Sequence, residues 1–515
     1  MQLLEIVLFL MVCAVALGWV ARRFQFPYPI ALVVGGSLLG FIPGLPSFRF
    51  DPQFILVLVL PPVLYQAALL TSWRDFKRNL REISLLAIGL VLVTTLAVGG
   101  TLKALVPECP WAVAFALGAI VSPPDAVAAT AILSRLNIPR RVVTVLEGES
   151  LINDASGLVL YKFAVAAVLT GTFSLAEAGT QFAFMGTGGV IIGLAVAAAS
   201  ILIHRRLGDA FIEVLTAIAT PWVAYIAAES LHTSGVLAAV SAGLLRGRYS
   251  PEIVSAEMRI LARSTWNILV FLLNSLIFIL IGMQLSQIVG RLDGYSVGQL
   301  VSIGLIVSLV TILVRFAWIF PAETLARLIR HGARIVPASE RFIISWCGMR
   351  GIVSLAAALA LPVALPNGSP FPHRDLIIFV TFVVIAVTLV LQGLTLAPLI
   401  RLLKVGTDWS ACQEEAQARQ ALSEAAVAAI EGLGNTENAP PDLVDRLRAE
   451  FSEDIAAATR QGEPADPRVE AARRLRRAAI RAERQALLNL WRQQRIGDEV
   501  LHHLEEVLDY KEARL

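Results

Sequence analysis

Long apolar runs recurring along most of the chain decide what it can fold into. A helix needs about 20 apolar residues to cross the hydrocarbon core of a bilayer. Runs of roughly that length lie near 2–21, 29–46, 53–70, 83–106, 110–134, 142–170, 182–203, 209–229, 234–246, 265–289, 297–320, 341–364 and 375–401. Backbone in lipid must satisfy its own hydrogen bonds, so these segments read as helices. The chain is 56% hydrophobic and 16% charged, against about 25% charged in a soluble domain. Its charges gather in short loops and after Leu403. The reading is an all-α polytopic membrane protein, with 13 transmembrane helices over residues 1–404 and a polar helical tail over 405–515. The N-terminal run has Glu5 in place of a basic flank, so it reads as a first spanning helix and not a cleaved signal.

Several functions are disfavoured at once. A net charge of +3 leaves no electrostatic footprint for nucleic acid. Cys13, Cys109, Cys347 and Cys412 lie far apart, and the six histidines form no metal-ligand spacing. No cofactor motif and no nucleotide-binding motif is visible. In the tail, segments near 411–432, 441–460 and 467–512 have helical composition. Arg473-Arg474-Leu475-Arg476-Arg477 within them suits either a solvated helix face or contact with anionic lipid headgroups.

Basic residues set the orientation. Loops after the odd-numbered segments are rich in Arg and Lys, whereas the opposite loops carry Arg49, Lys103, Arg291 and Arg374. The N-terminus is therefore expected outside and the tail in the cytoplasm. Thirteen spans divide as six, one and six, which makes helices 1–6 and 8–13 inverted repeats. Transporters built this way bind their substrate near the midplane, where broken helices cross. The fifth helix of each repeat should then carry a breaker. Segment 5 contains Ser122-Pro123-Pro124-Asp125, whose prolines remove backbone donors, and segment 12 contains Gly348-Met349-Arg350-Gly351.

The sixth segment holds the densest polar cluster, Glu149-Ser150-Leu151-Ile152-Asn153-Asp154. A carboxylate at the bilayer centre costs about 2.5–3.5 kcal/mol, so such residues mark an ion or proton pathway or, more blandly, a structural scaffold. Glu149, Asn153 and Gly157 fall in one helical row and Ser150 and Asp154 in the next. Gly148 and Gly157 permit close approach of a neighbour. Asp125 and the carbonyls freed at Pro123 and Pro124 come from the adjacent break. These are all oxygen ligands, suited to a hard alkali cation and not to a transition metal. Arg315 in segment 11 and Arg350 at the second break supply positive charge. One of them is expected to pair with Glu149, since an unpaired buried charge costs far more than a paired one. Snorkelling to the interface is the alternative for Arg315, and compensation of the helix break for Arg350.

These motifs together resemble the bacterial sodium/proton antiporters of the monovalent cation/proton antiporter family one, the NhaP and NHE type. Leu60-Pro61-Pro62 and the closing Leu508-Asp509-Tyr510-Lys511-Glu512-Ala513-Arg514-Leu515 are further matching pieces. The resemblance implies an NhaA-like antiporter fold with broken helices 5 and 12 crossing. It implies that Asp154 is the exchange carboxylate with Asn153 as its companion. Ser150, Asp125 and Pro124 complete the cation and proton site, with Asp154 and Ser150 holding Na⁺. It pairs Glu149 with Arg315 and leaves Arg350 to compensate the helix break. It also implies an inner-membrane homodimer that uses no cofactor. One departure stands on helix 3: many relatives carry an acid there, where this chain has Tyr65-Gln66. Gln66 offers an oxygen without the charge.

The mechanism that follows is competition. A proton and a Na⁺ ion (or Li⁺ or K⁺) each neutralise Asp154, but not together, and only the neutral site crosses between inward-facing and outward-facing states. With Asn153 neutral, exchange should be electroneutral, one for one. A sodium-coupled symporter of organic solutes is the rival on the same architecture. An intramembrane aspartyl protease would need a GxGD-type motif that is absent, and a passive channel would need a repeated carbonyl filter.

Overall fold

In the computed structural model the described residues are 2–24, 27–42, 52–133, 136, 138–171, 175–289, 296–329, 336–405, 409–436, 440–449, 467–495 and 497–513. Among them the protein is helical, with a single isolated bridge between Ala364 and Pro370. The helices are α1 (Gln2–Arg23), α2 (Tyr28–Gly40), α3 (Pro52–Leu70), α4 (Trp73–Leu105), α5 (Trp111–Val121), α6 (Ala126–Leu133) and α7 (Arg140–Thr170). They continue as α8 (Leu175–His204), α9 (Ala210–Ser230), α10 (Gly235–Ile253), α11 (Ala256–Val289) and α12 (Val297–Ile329). Next come α13 (Ala338–Trp346), α14 (Ile352–Leu359) and α15 (Arg374–Leu402). Among the described residues, eight stretches are long and apolar enough to cross a membrane, and this is a multi-pass membrane protein.

Helix boundaries follow caps and amphipathic faces more than apolar runs. The fourth run, expected from 83, is a helix from Trp73. Ser72 caps it by accepting the Asp75 amide, and the first turns bury Phe76 and Ile83 while Lys77 and Arg78 stay outside the core. Ion pairs from Arg140 to Asp75 at 3.2 Å and from Arg141 to Glu82 at 2.6 Å tie this amphipathic stretch to the start of α7. The ninth run, expected to end at 246, continues to Ile253, because Arg246 is buried among polar partners instead of ending the helix. Ser234 and Asp209 cap α10 and α9 through hydrogen bonds to the amides of Leu237, Phe211 and Ile212.

The helices of the first 407 residues fall into two groups by packing. In one, α2 lies along α11, and α10 is wedged among α3, α8 and α9. In the other, α4, α5 and α7 pack together, and α12 lies between α4 and α15. The half-helix α14 touches α3 from the first group as well as α5 and α7 from the second.

The chain divides into two compact units, Met1–Thr407 and Asp408–Leu515. The second contains α16 (Trp409–Thr436), α17 (441–449), α18 (Pro467–Arg492) and α19 (Asp498–Ala513). The stretch 467–512, expected to be helical in composition, is a hairpin of two helices. The chain reverses after Trp491 with Gln494 at φ 56°, and Leu487, Leu501 and Leu508 pack across the turn. Lys511 pairs with Glu483 at 3.1 Å, and Arg484 pairs with Glu512 at 2.8 Å. An apolar seam of a few leucines lies within a polar stretch, and run-counting does not resolve it. The remaining part of the expected 441–460 segment, from 450 on, lies outside the described residues.

Candidate functional site

Two broken helices meet at the centre. α5 stops at Val121 and α6 starts at Ala126. α13 stops at Trp346 and α14 starts at Ile352. The Asp125 amide donates to the Met349 carbonyl at 2.7 Å, joining the two unwound strands of backbone. Four helix ends therefore converge, two with free carbonyls and two with free amides, each bearing a partial charge.

Each kind of end is answered by one side chain of opposite sign. Arg350, 1% exposed, donates from Nε to the Val121 carbonyl at 2.9 Å and from Nη2 to the Ser122 carbonyl at 3.4 Å. Its Nη1 donates to the Gly348 carbonyl. One guanidinium thus covers the C-terminal ends of both α5 and α13. Asp125 covers the N-terminal ends: its Oδ1 accepts the Val127 amide at 2.8 Å, and its carboxylate also takes the Ile352 amide. A Cβ on Gly351 would overlap that carboxylate, so the approach requires glycine.

α7 crosses this junction with its polar face inward. Gly157 lies against the ring of Pro123, where a Cβ would collide. Asn153, fully buried, donates from Nδ2 to the Pro124 carbonyl at 3.0 Å. A carbonyl only accepts, so this contact settles the amide orientation and turns Oδ1 inward, where it has no hydrogen-bond partner. Ser150 Oγ accepts the Ala126 amide at 3.3 Å. Asp154, 6% exposed, lies within electrostatic reach of Asp125. Among the described residues, no group donates a hydrogen bond to its carboxylate.

Glu149 behaves differently. Arg315 meets it with two parallel hydrogen bonds at 2.5 and 2.6 Å, and both side chains are 1% exposed. Arg315 Nε also donates to the Ile344 carbonyl at 3.0 Å, near the end of α13. Arg315 therefore does not snorkel. It is held in a forked, charge-assisted pair, among the stronger hydrogen-bonding arrangements available to a protein.

Gln66 stands apart from these residues. It is half-buried on α3 and makes no hydrogen bond to the cluster, while its neighbour Tyr65 is buried against Trp266 at 5.5 Å. The site also contains parts that run-counting and motif-reading miss. α4 and α15 each include a π-helical turn, Leu85–Leu90 and Thr388–Gln392. Such turns free backbone groups and gather at functional sites. Ser156 donates to the Ala87 carbonyl in the first, and Thr388 Oγ1 in the second accepts the Arg350 amide at 3.1 Å. A π turn has no composition that betrays it. Ser156 lies two residues past the polar cluster, and its target is on another helix, where no local pattern points.

Among the described residues, no three His, Cys, Asp or Glu side chains gather as a metal centre. Asn153 and Ser150 hydrogen-bond to the break at 124–126, and Asp154, one residue on from Asn153, lies within electrostatic reach of Asp125 there, so carboxylate, amide, hydroxyl and carbonyl oxygens belong to one region. Such a set can take up and release a weakly held hard cation or a proton.

Comparison with known proteins shows the family. The model of the transmembrane sodium/hydrogen exchanger family matches residues 7–402. An uncharacterized Na⁺/H⁺ exchanger of Mycobacterium tuberculosis is 35% identical over 99% of this chain and 96% of its own length. The sodium, potassium, lithium and rubidium/H⁺ antiporter of Bacillus subtilis is 32% identical over 97% of this chain and 76% of its own length. In fold, the chain is similar to the sodium proton antiporter MjNhaP1 of Methanocaldococcus jannaschii, with a TM-score of 0.62 at 20% identity, covering 78% of this chain and 100% of that one. The protein belongs to the transmembrane sodium/hydrogen exchanger family.

Proposed function

We propose that the chain exchanges an alkali cation for a proton, one for one, and that Asp154 is the group both compete for. The observation that carries this reading is the buried Asp154 carboxylate, to which no group among the described residues donates a hydrogen bond, next in sequence to Asn153, whose Oδ1 is likewise unpartnered among them. A lone buried ion is costly, and either a proton or a cation removes that cost. Only one of them fits on a single carboxylate. Asn153 Oδ1, the Ser150 hydroxyl and the second lone pair of the Pro124 carbonyl complete the ligand set, and Asp125 lends a second negative charge from the break. Glu149 and Arg315 neutralise each other and take no part in exchange. Na⁺ is the first cation to test. Li⁺ and K⁺ follow, because the same oxygens serve all three and the Bacillus subtilis relative is described as handling all of them.

The architecture we propose has thirteen crossings, with inverted repeats of helices 1–6 and 8–13 counted by span. The breaks at Pro123-Pro124 and Gly348–Gly351 are the fifth helices of the two repeats. The N-terminus is outside, the tail is cytoplasmic, and the inner membrane holds a homodimer. The group containing α4, α5, α7, α12 and α15 carries the site past the group containing α2, α3 and α8–α11. No step in this cycle requires a cofactor.

The test is proton flux in proteoliposomes on addition of Na⁺, Li⁺ or K⁺, with no organic solute present. Flux should follow the cation pulse and should not change when a potassium diffusion potential is imposed during the Na⁺ and Li⁺ pulses. A steep voltage dependence would overturn one-for-one exchange, and a requirement for an organic solute would favour symport.

A further inference from the structure

Outside the crossing, the most completely built polar cluster ties the ends of α8, α9 and α10 together. His204, the last residue of α8, is 1% exposed, and Arg246 of α10 is 2% exposed. Arg246 Nη2 lies 3.0 Å from His204 Nδ1, and Nη1 donates to Ser200 Oγ at 2.9 Å. Ser200 in turn meets Thr220 Oγ1 at 3.0 Å. On the other side of the ring, His204 Nε2 lies 3.3 Å from a carboxylate oxygen of Glu213, in the first turn of α9.

The tautomer follows from donor chemistry. A guanidinium only donates, so Nδ1 must present a lone pair, and the ring proton sits on Nε2 facing Glu213. The geometry thus demands a neutral imidazole. Adding a proton puts N–H against N–H at Arg246 and a second positive charge beside the first in a buried setting. The other charged or titratable groups nearby do not relieve this. Tyr65 of α3 faces Arg246 electrostatically. Asp209 is engaged in capping α9, and Arg205 and Arg206 are exposed in the following turn and add like charge. Among the described residues, Glu213 is the carboxylate that favours the imidazolium.

We propose that His204 is a proton-sensing positioning residue for exchange. Neutral, it lets Arg246 clamp α8, α9 and α10 into the frame against which the site-bearing helices move. Protonated, it repels Arg246 and loosens that frame. An imidazole ordinarily titrates at about 6.5, inside the working range of a cell. The inference rests on the proposed exchange, but its readout is separate. Competition at Asp154 raises the apparent KM for cation in acid and is overcome by saturating cation. A loosened frame lowers the maximal rate and is not.

The experiment measures the maximal exchange rate against pH in proteoliposomes at saturating Na⁺ for the wild type and for His204→Gln, whose side-chain oxygen can still accept from Arg246. His204→Gln should keep the alkaline rate and move the acid limb to lower pH by about half a unit or more. Glu213→Gln, which removes the carboxylate facing the ring, should move the limb in the same direction by less. If both profiles coincide with wild type, the proposal is overturned. It is equally overturned if folded His204→Gln protein loses exchange equally at every pH, since the ring would then be merely structural. A wild type that shows no exchange at any pH would instead overturn the proposed function.

Discussion

Glu149 and Asp154 lie little more than one turn apart on α7, both buried, yet their surroundings differ in kind. Glu149 is met on both oxygens by Arg315, at 2.5 and 2.6 Å. Asp154 has a neutral amide beside it, a second carboxylate nearby and no donor among the described residues. A fully paired carboxylate has nothing to exchange, because releasing its partner would strand two charges in low dielectric. An unpaired one stays costly until a mobile ion or proton arrives. The contrast separates a group that holds helices together from a group that can do work, and residue type alone does not separate them.

The largest effect should come from Asp154→Asn, which removes the titrating group while keeping its size. Cation-driven proton flux should fall to background in proteoliposomes, with the melting temperature of the purified protein little changed. Retained exchange would mean that Asp125 or Glu149 is the exchanging carboxylate. Next, Glu149→Gln should leave Arg315 buried and half-satisfied, at about 3–5 kcal/mol of stability. A thermal melt in detergent checks this, and the double change Glu149→Leu with Arg315→Met should recover much of the loss. Recovery of stability together with exchange would sharpen the comparison, since it would show the pair to be structural. The smallest effect should come from Gln66→Ala, which lies outside the cluster. The apparent affinity for Na⁺ should change by no more than about 0.5 kcal/mol. A larger loss would bring α3 into the cation site in another state of the cycle.

Much of the site was legible before any coordinates. Pro123-Pro124 and Gly348–Gly351 announce their breaks because proline lacks an amide and glycine tolerates close approach, and these are properties of single residues. The cost of charge in lipid flagged Glu149, Asp154, Arg315 and Arg350 in the same way. What was not legible depends on partners brought from afar. The snorkelling alternative for Arg315 failed because Glu149 lies across a helix interface. The ends of α4 and α10 were misjudged because an amphipathic turn and a buried arginine look like loop in a hydropathy count. The turn of the tail hairpin does not show in a helical composition, because a thin leucine seam is lost among charges.

Taken alone, then, the chain determined that it is a helical membrane protein and where its helices break. It also determined which few charged residues must be accounted for in the interior, because transfer to lipid is priced residue by residue. Tertiary structure alone decided how those charges are shared out. Arg350 covers the carbonyl ends of two helices and Asp125 the amide ends, while Arg315 is spent on Glu149 and His204 on Arg246. Asp154 is left over. Pairing depends on distances of about 3 Å between segments far apart in sequence, and only the folded packing supplies them.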